Sequence, residues 1–302
     1  MPGPKPDPMS ATPETWTVAR LLEWTTGRFR ERSIDSPRLE AEILLACALG
    51  IRRIDLYVRH DQVVDEAGRA RFRDMVRRRQ EGAPTAHIVG KKEFYSLDIS
   101  VTAATLIPRP DTELLVDEAI RFAKSLSSPL IADIGTGTGC VALALAHRLR
   151  EARIVAVDIS PEALGTARAN ADRLGLGDRV EFRQGDLLAP LAGLRPDLIV
   201  SNPPYIPTSE IAGLDPGVRD HEPALALDGG PDGLRVINRL AEQALTMLAP
   251  GGRLLVEIGA GQEMGARGVL TEAGFSVEAI LKDGGGHPRV VRSFRPSAPG
   301  QG

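Results

Sequence analysis

Little in this chain points to thiol, metal or membrane chemistry. Two cysteines are present, Cys47 and Cys140, far apart and each inside an apolar helical pattern, so buried free thiols are expected rather than a disulfide or a metal pair. The five histidines are scattered without ligand spacing, and no metal is expected. No stretch reaches the roughly 18 consecutive apolar residues of a membrane-spanning helix, and residues 1–13 lack the apolar core of a signal peptide. A cytoplasmic protein with no membrane partner is therefore expected. With a net charge of −3 the chain has no strong basic field, which argues against direct nucleic-acid binding.

What is present suits a globular protein of two domains: 302 residues, 42% hydrophobic and 25% charged. After a proline-rich start through Thr12, expected to be disordered, Thr12-Pro13 is expected to open a helix with Val18, Leu21, Leu22 and Phe29 on its apolar face. Ser36-Pro37 opens a second, with Leu39, Ile43, Leu44 and Cys47 as its buried face and Gly50 as its end. A third, from about Glu66 to Arg79, carries six arginines and reads as a solvated face, because basic and acidic residues nearly balance in this part of the chain. From Phe94 to Val101 the alternation of Tyr95, Leu97, Ile99 and Val101 predicts a hairpin strand. Strands and helices then alternate, with strands expected at 130–134, 153–157, 180–183, 197–201 and 253–258. Segments 275–281 and 289–294 close the set, and their short link predicts an antiparallel end strand.

Two motifs carry chemistry. The apolar strand Leu130-Ile131-Ala132-Asp133-Ile134 runs into Gly135-Thr136-Gly137-Thr138-Gly139 and then an alanine-rich helix from Cys140 to about Leu149. Glycines there allow sharp turns and close approach of a ligand to helix N–H groups. The spacing is not that of the dinucleotide fingerprint, which disfavours a nicotinamide or flavin enzyme. The next strand ends in Asp158, where a carboxylate can take ribose hydroxyls or cap the following helix; Ser160 before Pro161 is the better cap. Further on, the run Asp197–Ser201 stops at Asn202-Pro203-Pro204-Tyr205. Prolines there fix the backbone, Asn202 offers a side-chain acceptor and Tyr205 a flat wall, which makes a cup for a planar group bearing an NH2. The irregular stretch 207–228 that follows is placed to wall a substrate channel.

Together these motifs resemble class I S-adenosylmethionine-dependent methyltransferases acting on planar nitrogen, and more closely the HemK/PrmC family of protein-(glutamine-N5) methyltransferases. The closer resemblance rests on Leu106 to Glu113, Asp133 to Gly139, Ala156 to Ser160, Ser201 to Ile206, Glu222-Pro223 with Ala226-Leu227, Asp232 to Leu234, Glu257 to Gly259 with Gln262, and Asp283 to Arg289. It covers about residues 36 to 294. One departure is Pro84-Thr85-Ala86-His87-Ile88, where members often carry an aromatic residue.

The resemblance implies a Rossmann-like, mostly parallel seven-stranded α/β sheet with a small N-terminal helical domain joined by a β-hairpin. The division expected is a tail at 1–13, a helical substrate-recognition domain at 14–85, a hairpin linker at 86–104, the methyltransferase domain at 105–295 and a tail at 296–302. S-adenosylmethionine is the implied cofactor, held by Asp133, Gly135, Thr136, Gly137, Thr138, Gly139 and Asp158, with Asp186 and Leu187 flanking the adenine and Asn202 at the methyl end. Asn202, Pro203 and Tyr205 are the implied catalytic residues, with Pro204, Arg109 and Glu222 also on the substrate side. The implied substrate is the Gly-Gly-Gln glutamine of class 1 peptide chain release factors, methylated by a monomeric enzyme. Two alternatives share these residues: a methyltransferase acting on an exocyclic amine of a nucleic-acid base, and a non-enzymatic adenosyl-binding module.

Overall fold

The computed structural model describes residues 15–296; the expected tails, Pro296 apart, and the Thr12-Pro13 helix start lie outside that range. The described residues form two compact units, divided between Val89 and Gly90.

The first unit is helical. Helix α1 (Val18–Glu31) starts at Thr17, whose hydroxyl accepts from the Arg20 N–H at 3.3 Å, and buries Val18, Leu21, Leu22 and Phe29. Helix α2 (Pro37–Leu49) has proline in its first turn and ends at Gly50 with φ 66°. Its buried face is Ala41, Leu44, Leu45 and Ala48; Leu39 and Cys47 are exposed, contrary to the face expected from periodicity. The helix is rotated because Glu42 is drawn inside, where Arg38 Nε and the Tyr57 hydroxyl each donate to it at 2.7 Å. Cys47 is consequently a free surface thiol, not a buried one.

Short α3 (Asp55–Val58) leads to α4 (Glu66–Gln80), capped by Asp65, and to α5 (Thr85–Val89). The α4 arginines pair within the unit: Arg69 and Arg73 with Glu66, Arg77 with Asp74, and Arg79 with Glu40.

The second unit opens with a hairpin, β1 (Lys91–Phe94) and β2 (Leu97–Ser100). Tyr95 is not a strand residue: with Ser96 it forms the turn, at φ 51° and 62°. Tertiary contacts override the alternation, since the Tyr95 N–H donates to Glu113 and its hydroxyl to Asp117, both at 2.8 Å. The hairpin belongs to this unit's core, burying Phe94, Leu97 and Ile99.

Seven strands form the sheet: β3 (Leu130–Ile134), β4 (Arg153–Asp158), β5 (Val180–Gln184), β6 (Leu198–Ser201), β9 (Arg253–Glu257), β10 (Ser276–Lys282) and β11 (Pro288–Phe294). Their order is β10-β11-β9-β6-β3-β4-β5. Successive residues of the central strands enter opposite cores, Ile131, Ile154, Leu198 and Leu255 on one face and Ala132, Val155, Ile199 and Val256 on the other. Covering helices on both faces explain why these strands read as unbroken apolar runs. Helices α6 (Glu113–Ala123), α7 (Cys140–Arg148) and α8 (Pro161–Arg173) contribute to the first core, α10 (Arg235–Met247) and α11 (Glu263–Glu272) to the second.

The antiparallel strand is β11, last in sequence but inserted between β10 and β9 rather than at the sheet's edge. The stretch 207–228 is more ordered than expected. It contains α9 (Pro216–Arg219), and a two-residue strand β7 (Ile206–Pro207) before it pairs in parallel with β8 (Asp228–Gly230) after it.

Candidate active site

Register aligns the chemistry. Ile134 pairs with Val157 on one side and Ser201 on the other, and Ser201 pairs with Val256. One residue further, Glu257, Asn202, Gly135 and Asp158 form a row across the carboxyl ends of four adjacent strands. The chain reverses its winding direction between β3 and β6, so the row lies at the switch point where open α/β sheets bind ligands.

The glycine loop is shaped by left-handed backbone, with φ of 72°, 55° and 81° at Gly135, Gly137 and Gly139. A Cβ on Gly135 or Gly137 would meet no atom within 4 Å, so the main chain is open on that side, whereas one on Gly139 would press on Ala167 at 3.1 Å. Gly139 thus permits helix–helix contact and the other two leave room for a ligand. Thr136 and Thr138 are buried.

Asp133 lies beneath the loop, 2% exposed, and one of its oxygens accepts from the Thr136 hydroxyl at 2.6 Å and the Ala142 N–H at 3.2 Å. It anchors the loop to the start of α7. Burial pushes its pKa up from 3.8 to about 6. The group's contribution to stability is complete below its unfolded value and is lost as pH rises through the folded one, roughly 3 kcal/mol across the window. Denaturant unfolding at pH 4.5 and pH 7 should show a smaller loss over that interval for Asp133→Asn than for the wild type.

Asp158 accepts from the Gly137 N–H at 2.8 Å and the Ser160 N–H at 2.9 Å, one bond on each oxygen. A carboxylate has about four acceptor positions, so each oxygen retains one for a further donor. Ser160 is the cap of α8, accepting from the Ala163 N–H at 3.1 Å. Asp186 and Leu187 follow β5; Asp186 is exposed and paired with Arg239, and Leu187 is half-buried at φ 49°.

The cup is held from three sides. The Asn202 Nδ2 donates to Thr112 Oγ1 at 3.1 Å. Gln262 Nε2 donates to the Tyr205 carbonyl at 2.8 Å, while its Oε1 accepts from the Gly259 N–H at 2.9 Å. A Cβ at Gly229 would strike the Pro204 carbonyl at 2.8 Å, and one at Gly233 would overlap the Tyr205 carbonyl. Pro203 is buried and Pro204 half-buried; neither brings an N–H, so the rim is rich in carbonyls. Burial, and secondarily the charge of Glu257, pushes the Tyr205 phenol up to about 12, which keeps it neutral.

Arg109 and Glu222 meet in an ion pair at 2.6 Å, and Glu222 also accepts from the Ile107 N–H at 3.3 Å. Burial raises the Glu222 pKa against the opposing pull of Arg109. The pair ties the segment ahead of α6 to the loop after the cup. Sequence reasoning gave no role to Thr112, Glu257, Gly233 or Gln262; the only signal was that each lies in a stretch carrying the family resemblance.

Residues 20–90 match the PrmC N-terminal domain, and residues 129–269 a methyltransferase domain. The release factor glutamine methyltransferase of Geobacter sulfurreducens is 44% identical over 94% of this chain and 98% of its own. That of Rhodopirellula baltica is 47% identical over 91% and 95%. Among solved structures, a methyltransferase from Pyrococcus furiosus superposes with a TM-score of 0.50 at 20% identity, covering 68% of this chain and 92% of that one. The hMettl16 catalytic domain does so with a TM-score of 0.55 at 17% identity, covering 72% and 83%. At such identities these structures establish the fold, a class I methyltransferase sheet, and the full-length relatives establish the rest: this chain belongs to the release factor glutamine methyltransferase family.

Proposed function

We propose that the protein transfers a methyl group from S-adenosylmethionine to the side-chain amide nitrogen of the Gly-Gly-Gln glutamine in class 1 peptide chain release factors, leaving S-adenosylhomocysteine. The observation that carries this reading is the Asn202-Pro203-Pro204-Tyr205 cup beside the open glycine loop, in a chain 44% identical over nearly its whole length to a relative bearing that name.

The residues present fit the cofactor. The backbone at Gly135 and Gly137 is open for its methionine part, Asp158 keeps acceptor positions for ribose hydroxyls, and Leu187 offers an apolar face for adenine with Asp186 beside it. Asp133 acts by fixing the loop. S-adenosylmethionine supplies an activated methyl group as a sulfonium.

The chain's task is the nucleophile. An amide nitrogen has its lone pair delocalised into the carbonyl and attacks poorly. Asn202 Oδ1 and the Pro203 carbonyl accept the two N–H groups, which aims the nitrogen and stabilises the positive charge growing on it. Tyr205 packs on the amide plane and Pro204 stiffens the rim. Arg109, held by Glu222, walls the entrance. The helical unit grips the release factor, and the enzyme works as a monomer in the cytoplasm without nucleic acid.

Incubation with labelled S-adenosylmethionine of a purified release factor, DNA and ribosomal RNA in parallel tests the assignment; label is expected on the factor alone. Asp158→Ala should weaken S-adenosylmethionine binding by roughly 1.5 to 3 kcal/mol, the scale of a charge-assisted acceptor. Calorimetry checks this, and unchanged affinity would leave Asp158 as a scaffold for Gly137 and Ser160 only.

A further inference from the structure

Asn170 lies in α8 and is fully buried, and every polar position of its side-chain amide is used. Its Oδ1 accepts from the Ser100 N–H at 2.8 Å and from Arg173 Nη2 at 3.0 Å. Its Nδ2 donates to the Ser100 carbonyl and to the Thr138 carbonyl, both at 3.0 Å. An amide offers two protons and two lone-pair positions, so all four are spent. We propose that Asn170 is a positioning residue for the glycine loop, and that through it S-adenosylmethionine binding is coupled to the β1–β2 hairpin. This rests on the loop being the cofactor's seat.

On the hairpin side the amide treats Ser100 as a neighbouring strand would, exchanging both N–H···O bonds with it. The Val101 N–H turns the other way, to the Gly90 carbonyl at 3.1 Å, so Ser100 presents its main chain at the outer edge of β2. On the other side, Thr138 is the third of three successive loop residues that are held: Asp133 accepts from the Thr136 hydroxyl, Asp158 accepts from the Gly137 N–H, and Asn170 donates to the Thr138 carbonyl. The two aspartates stand on β3 and β4 and are fixed by the sheet. Asn170 instead is shared with the hairpin.

The sharing demands this residue type. An aspartate would set lone pairs against two carbonyls, and a leucine would leave the Thr138 carbonyl unpaired in a residue that is 2% exposed. Close approach of α8 to the loop depends on Gly139, where a Cβ would lie 3.1 Å from that of Ala167, three residues before Asn170. A ligand that fills the loop steadies the Thr138 carbonyl, hence the Asn170 amide, hence the main chain of Ser100. By linkage, a loosened hairpin weakens cofactor binding by the same factor. The hairpin follows the helical unit directly in the chain, so cofactor occupancy is felt in the segment that leads from one unit into the other.

Hydrogen exchange of the full chain, with and without saturating S-adenosylhomocysteine, reads the coupling without turnover. Amides of residues 91–101 should exchange at least about threefold more slowly with the ligand in the wild type, and should be unaffected by it in Asn170→Ala. Calorimetry should show S-adenosylmethionine affinity about 10-fold lower in Asn170→Ala, within the usual range of coupling between two sites. Its kcat at saturating cofactor and substrate should stay within about threefold of wild type, because no reacting group has moved. Thr166→Ala is the control: it removes the 3.1 Å bond from α8 to Thr102, just past the hairpin, without touching the loop. Neither affinity nor the hairpin's response should change there by more than about twofold. Wild-type hairpin exchange that ignores the ligand would overturn the coupling, a result that needs no variant to fold. Equal slowing in Asn170→Ala, or the same losses in Thr166→Ala, would overturn it too. An Asn170→Ala affinity within about twofold of wild type would remove the positioning role, and the same result for Asp158→Ala as well would strike the loop as the cofactor's seat.

Discussion

Replacing Asn202 by alanine should lower the single-turnover methylation rate by about 100- to 1,000-fold at saturating cofactor and substrate, with S-adenosylmethionine still bound. The loss is large because the Asn202 oxygen meets an N–H whose nitrogen gains positive charge only as the methyl arrives, so the bond strengthens in the transition state. Asn202→Asp should fare no better. A carboxylate has no N–H to donate to the Thr112 hydroxyl, so the bond that holds the Asn202 side chain is lost as it stands, and a negative charge is added to a rim already rich in carbonyls. If Asn202 merely turns the chain, alanine would cost about 1 kcal/mol of stability and less than tenfold in rate.

Gly233→Ala should damage the same cup from behind. Gly233 has φ 76°, and its added Cβ would overlap the Tyr205 carbonyl and the Gln262 amide, one of them backbone. The left-handed conformation alone costs an alanine about 1 kcal/mol, and displacing the Tyr205 carbonyl raises the total to about 3 kcal/mol. Movement of that carbonyl releases Gln262 Nε2 and shifts Tyr205 relative to Asn202, so turnover should fall by at least about 100-fold, since misplacement of about 1 Å has that effect. Gly251→Ala is the control. Its φ is 74°, but nothing lies within 4 Å of an added Cβ, and only the backbone cost of about 1 kcal/mol applies. Unfolding midpoints and rates of the two variants separate strain from collision; equal effects would dismiss the wedge.

How much of this was legible follows from what each element depends on. Strands β3, β4 and β6 are short apolar runs, β3 and β6 ended by Gly-rich and Pro-rich segments, and burial on both faces suits a parallel strand. The positive φ at all three loop glycines matches their spacing. Elements governed by distant partners were not legible. Tyr95 alternates correctly for a strand, yet Glu113 and Asp117 fasten it into a turn. Cys47 fits the apolar period of α2, yet Glu42 and its partners Arg38 and Tyr57 rotate the helix and expose it. The site divides in the same way. Asn202 and Tyr205 announce themselves through two adjacent prolines, whereas Thr112 is an ordinary residue whose meaning appears only when the turn before α6 is brought against the end of β6.

The central claim, that the cup holds the glutamine side-chain amide of a release factor, is tested most directly by fragment-ion mass spectrometry of a purified release factor after incubation with the enzyme and S-adenosylmethionine. The account predicts one added methyl group, on the side chain of the Gly-Gly-Gln glutamine, formed at least about 100-fold more slowly by Asn202→Ala. A methyl group on any other residue, or an unmodified factor beside methylated nucleic acid, would contradict it.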